Sequence, residues 1–88
     1  NIARYALLTH MIAQVCDLTV GELIISTGDT HIYQNHVEQV KEQISRTPFP
    51  QPKLHLTPTV KDITMFTMDD IQLVDYQSHE TIKAEMAV

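Results

Sequence analysis

Cysteine is almost absent. Cys16 is the only one in 88 residues, which excludes an internal disulfide and any CxxC metal or redox motif. Basic residues are scarce as well, six Lys and Arg against eleven Asp and Glu, for a formal net charge of −5. Non-specific nucleic-acid affinity comes mainly from Lys and Arg, so a broad phosphate-binding surface is disfavoured, although one nucleotide held by a few polar groups is not. No run of 18 apolar residues suggests a membrane span, and no basic n-region with a cleavage site suggests export. Cytoplasm is the expected location. Glycine occurs only twice and no repeat is present, while 43% of residues are hydrophobic and 19% charged; this excludes low complexity and compositional disorder. A chain this short buries ~60–65% of its unfolded surface, enough for one modest core.

What is present reads as alternating helices and strands. Ile2 to Leu18 forms a helical run with few polar positions (Arg4, Thr9, His10, Gln14, Asp17). A helix apolar nearly all round is a central, buried one, and the rest of the chain is too short to cover every side. There is no initiator Met and no upstream loop to cap the first N–H groups, so the chain is expected to be cut from a longer one. Val20 to Thr27 is β-branched and reads as a strand. Asn35 starts a second helix reaching Arg46, with Asn35 as cap and Glu38 at capping-box spacing. Val37, Val40 and Ile44 give that helix an apolar stripe opposed by Glu38, Lys41, Glu42 and Ser45. Pro48, Pro50 and Pro52 impose an extended connector. Lys53 to Thr57 alternates as a short strand, Asp62 to Phe66 is a single helical turn, and Ile71 to Tyr76 is the last strand. The tail from Gln77 shows no period.

The segment Gly28-Asp29-Thr30-His31-Ile32-Tyr33-Gln34-Asn35-His36 is the richest in chemistry. On an extended backbone Asp29, His31 and Tyr33 fall on one side, where an imidazole and a phenol two residues apart can converge on one small polar group such as a sugar hydroxyl. Gly28 would let the backbone turn or approach closely. Taken on spacing alone, a strand end whose His and Tyr bond within the protein is the simpler account. His31 and His36 lack HExxH spacing, and a metal site is not expected. Asn1 offers an amide donor and acceptor, but one Asn is ordinarily a cap or a surface residue. Cys16, late in an apolar helix, reads as a buried structural thiol rather than a reactive one.

Five stretches in this order resemble the C-terminal third of the thymidylate synthase family: Asn1-Ile2-Ala3-Arg4-Tyr5-Ala6-Leu7-Leu8, Cys16-Asp17-Leu18, the Gly28–His36 element, Pro52-Lys53-Leu54, and Ile82-Lys83-Ala84-Glu85-Met86-Ala87-Val88. The GDxHxYxNH element and the terminal KxxMAV are the most specific, and the resemblance covers residues 1–88, the C-terminal portion of a single domain. It implies an α+β fold, a large twisted mixed sheet with covering helices, assembled as a homodimer.

The resemblance also implies an activity: reductive methylation of dUMP to dTMP with 5,10-methylenetetrahydrofolate as carbon donor and reductant, without metal. Asn1 would read the pyrimidine edge, since uracil presents an acceptor at O4 and a donor at N3. His31 and Tyr33 would hold the deoxyribose hydroxyl. Met86, Ala87 and Val88 would form a C-terminal flap that folds over the folate and excludes water. The family's nucleophilic cysteine and its phosphate-binding segment lie upstream, so no catalytic residue is assigned here, Cys16 is not the nucleophile, and residues 1–88 alone are expected to be inactive. The alternatives are a deoxyuridylate hydroxymethylase of the same superfamily, or a structural or dimerisation piece that complements a separate N-terminal chain.

Overall fold

The computed structural model describes residues 1–86. The chain divides into two compact units, each assembled from two stretches: Asn1–Ser26 with Pro52–Tyr76, and Thr27–Gln51 with the chain from Gln77 on.

In the first unit, helix α1 spans Ile2–Val15. It stops three residues before the sequence suggested because Asp17 takes a left-handed conformation, φ 56°. The Asp17 N–H then reaches the Gln14 carbonyl at 3.3 Å and the Leu18 N–H reaches that of Ala13 at 2.8 Å. This pair of bonds is a Schellman termination, which glycine usually supplies; the short polar side chain of Asp tolerates the same backbone. Cys16 therefore sits in the terminating turn and is exposed, not buried as expected. The rest of the chain covers only part of the helix, as its length suggested. Among the described residues only Ala13 is fully buried, while Ile2, Tyr5, Leu8 and Ile12 stay largely accessible. What covers α1 in this unit is the hairpin and its loop, which can meet one face.

That hairpin is the antiparallel pair β1 (Lys53–Leu56) and β2 (Ile71–Val74), in register Leu54 opposite Leu73 and Leu56 opposite Ile71. Leu54, Ile71 and Leu73 line, with Ala3, Ala6 and Leu7 of α1, an apolar cavity of about 740 Å³. The hairpin loop carries two short 3-10 turns, Ile63–Met65 and Met68–Asp70. Gln14 anchors the loop to α1: its side-chain amide donates to the carbonyls of Thr57 (2.8 Å) and Val60 (2.9 Å). One half-buried side chain thereby bonds both carbonyls, that of Thr57 also accepting from the Val60 N–H at 3.2 Å. Val20 to Thr27, expected as a strand, has no ladder partner among the described residues. β-branched content favours an extended backbone, but a strand exists only where a neighbour completes its hydrogen bonds.

Both 3-10 turns are capped by carboxylates. Asp62 accepts from the N–H (3.0 Å) and hydroxyl (2.8 Å) of Thr64, and Asp70 from the N–H (2.9 Å) and hydroxyl (3.0 Å) of Thr67. Hydrogen bonds to the ionised form favour it, so both carboxyls lie below their ordinary value of 3.8; for Asp70 the Thr67 backbone N–H is the main cause, followed by the Thr57 and Thr67 hydroxyls. A folded-state value below the unfolded one contributes stability that is complete above the unfolded value and lost as pH falls through the folded one. Asp70→Asn in the full-length protein is therefore expected to flatten the acid limb. Its urea midpoint should decline less than the wild type's between about pH 5 and about pH 2.5. Superimposable declines would show that the cap contributes nothing.

In the second unit a 3-10 turn, Gln34–His36, runs directly into helix α2, Val37–Ser45. Asn35 lies inside that turn and makes no cap, and Glu38 pairs with Lys41 at 3.6 Å instead of closing a capping box. The side of α2 that the rest of the unit covers also differs from expectation. Val37 and Ile44 remain exposed, Ile44 at 76%. The partly covered positions are His36, Gln39, Val40 and Arg46, together with Ile82 of the tail.

Candidate functional site

The second unit holds the His31–Tyr33 pair. Upstream of it the chain bends at Gly28–Thr30: the Thr30 N–H donates to the Gly28 carbonyl at 3.0 Å, and the hydroxyls of Thr27 and Thr30 are hydrogen-bonded. Gly28 needs no glycine-specific conformation here. Its φ is negative and a Cβ would meet nothing within 4 Å. From this bend residues 31–33 run extended, and Tyr33 (φ −63°, ψ 143°) leads into the 3-10 turn.

Alternation on that backbone brings His31 and Tyr33 together as the sequence suggested, their ring centroids 5.3 Å apart and edge to face. His31 is held from behind. Its Nδ1–H donates to the Asp29 carbonyl at 2.9 Å, with the Asp29 carboxylate 3.6 Å from the same nitrogen. With Nδ1 committed as donor, the neutral ring keeps Nε2 as an acceptor. The Tyr33 hydroxyl, beside it, can both donate and accept. An acceptor and a donor side by side, both half exposed, suit one alcohol group that gives its proton to the imidazole and accepts from the phenol.

Tyr33 also meets His36, centroids 5.4 Å apart and again edge to face. His36 is the residue that sequence reasoning passed over. Its Nε2–H donates to the main-chain carbonyl of Glu85, so it connects the 31–36 element to the C-terminal segment. Further along α2, the Gln39 amide donates to the Lys83 carbonyl (3.3 Å) and the Arg46 guanidinium to that of Glu80 (2.8 Å). The signal was available as donor side chains recurring at three- and four-residue spacing (36, 39, 43, 46), but it was masked by the apolar stripe beside it.

The other candidates lie elsewhere. Asn1 belongs to the first unit, at the N-cap position of α1; its carbonyl accepts from the Tyr5 N–H at 3.1 Å, but its side-chain amide makes no cap bond. Among the described residues that exposed amide makes no hydrogen bond. Met86 ends the described chain with 90% of its surface accessible, and Ala87 and Val88 fall outside the described residues. Among the described residues no three His, Cys, Asp or Glu side chains gather as metal ligands would, and no helix is long and apolar enough to cross a membrane.

Comparison with known proteins follows the same lines. The model of the thymidylate synthase family matches residues 1–88. Among solved structures, a thermostable thymidylate synthase A from Bacillus subtilis is 40% identical and superposes over 100% of this chain with a TM-score of 0.93. The chain spans about a third of that protein's length, 32%. The α+β character, with helices and an antiparallel sheet, is thus that of the corresponding stretch of the Bacillus enzyme.

Proposed function

The chain belongs to the thymidylate synthase family, and from that premise we propose that the full-length protein converts dUMP to dTMP, with 5,10-methylenetetrahydrofolate as cosubstrate and dihydrofolate as the second product. The observation that carries the reading is the committed His31 ring beside Tyr33: Asp29 fixes the Nδ1 proton, and the remaining acceptor and phenol suit a sugar hydroxyl. A uracil edge, with an acceptor at O4 and a donor at N3, matches the uncommitted amide of Asn1 in both halves.

The folate supplies the one-carbon unit and the hydride. This chain's part is to bind the nucleotide through Asn1, His31 and Tyr33 and to cover the folate with the C-terminal segment, Met86, Ala87 and Val88. An apolar cover over bound ligands excludes water from the reacting centre. No residue of this chain is assigned as nucleophile; Cys16 lies in the turn that ends α1 and not in the His31 element. The remainder of the domain, and a second copy in a homodimer, complete the site.

Incubating the full-length protein with dUMP and methylenetetrahydrofolate tests the proposal. Dihydrofolate and dTMP should appear together. Hydroxymethyl-dUMP with tetrahydrofolate would replace the proposal with the sister hydroxymethylase activity, and no product of either kind would leave a shared scaffold only.

A further inference from the structure

Apart from Val40, the covered positions along α2 and its two ends are polar, and what their donors meet is main chain. His36, Gln39 and Arg46 each donate a hydrogen bond to a carbonyl of the C-terminal segment, and the pairs run in reverse order: 36 with 85, 39 with 83, 46 with 80. The segment therefore lies antiparallel to the helix. The spans agree. From His36 to Arg46 a helix rises ~15 Å, and from Glu80 to Glu85 an extended chain covers ~17 Å. At the start of the segment His79 stacks on Phe49, centroids 4.2 Å apart and planes 20° from parallel. Along it, Ile82 and Ala84 line with Val40 and Gln43 a small cavity of about 200 Å³.

All three acceptors are backbone groups. Among the described residues the side chains of Glu80, Lys83 and Glu85 enter no ion pair or hydrogen bond. At these three positions side-chain attraction does not hold the segment; the row of donors does, alongside the His79–Phe49 stack and Ile82. A side chain that donates to a carbonyl fixes where that peptide lies along the helix, and three of them in line fix the direction and offset of the whole stretch.

We propose that His36, Gln39 and Arg46 are positioning residues: they set the register of residues 80–85 on α2 and thereby aim Met86 and the residues after it. Through His36, which also touches Tyr33, the same row ties the segment to the element proposed to hold the sugar. The consequence for catalysis rests on the folate reading of the C-terminus given above; the register itself does not.

Two substitutions in the full-length protein test it. Gln39→Glu keeps size and shape but turns a donor into a carboxylate facing the Lys83 carbonyl. His36→Phe keeps the ring against Tyr33 and removes the donor, and His36→Gln restores one. Amide exchange over residues 80–86 should quicken in Gln39→Glu and His36→Phe and return towards the wild-type rate in His36→Gln. The KM for methylenetetrahydrofolate should rise by roughly threefold to tenfold, the effect of one lost hydrogen bond, with dUMP affinity unchanged. Unaltered exchange would overturn the donor row whatever the kinetics do. Equal losses in dUMP affinity and thermal midpoint would overturn it in favour of general destabilisation. Faster exchange with an unchanged folate KM would uphold the row and remove the folate role from the C-terminus.

Discussion

Replacing His31 by alanine in the full-length protein is expected to weaken binding of the proposed substrate dUMP by on the order of tenfold and to leave the fold intact, as isothermal titration and circular dichroism would register. The magnitude follows from what one hydroxyl loses when its acceptor is removed: the bond itself, and the satisfaction of a desolvated polar partner. Tyr33→Phe keeps the ring and the edge-to-face contact, and its smaller loss isolates the phenol's share. The fold is spared because His31 is half exposed, and its polar contacts among the described residues go to Asp29, two residues away. Affinity unchanged by His31→Ala would take His31 out of the site.

Deleting Val88 is expected to act on the other substrate. Val88 follows the segment whose carbonyls α2 holds, so its loss shortens the proposed cover over the folate without touching Asn1, His31 or Tyr33. Misplacement of a group by about 1 Å can lower a rate by on the order of 100-fold, and a fall of that order in kcat is expected with dUMP affinity preserved. Steady-state kinetics beside a dUMP binding isotherm separate the two quantities. Equal losses in both would count against the cover.

The two halves of the candidate site differ in how far the sequence disclosed them. His31 and Tyr33 were legible because strand alternation is a local rule: two residues apart on extended backbone means the same side, and the rings are 5.3 Å apart. The His36 contact with Glu85 joins positions 49 residues apart, and no local period announces a partner that distant. The same division holds for the fold. β1 fell where alternation put it, and β2 began at Ile71 as expected but stops at Val74 rather than Tyr76, where Asp75 turns to φ 60°. The stretch from Val20 to Thr27 has the composition of a strand, but a ladder needs a neighbour, and composition does not supply one. Of the apolar stripe expected to be covered in α2, only Val40 is; Val37 and Ile44 are exposed, and the rest of the covered face is built of donors. Hydrophobic periodicity finds faces that meet side chains; it overlooks a face that meets peptide groups.

A peptide carbonyl is the same at every residue, and this has an evolutionary corollary for the segment lying on α2. Amino-acid replacements at positions 80 and 85, outside the fixed residues of KxxMAV, leave their acceptors in place, so these two positions can drift in sequence or change charge at little cost. A deletion or insertion of one residue between 80 and 85 is a different matter. It shifts every acceptor beyond it by one peptide, about 3.3 Å, past the reach of a hydrogen bond. Lineages of this chain should therefore vary at positions 80 and 85 and hardly at all in the length of the segment.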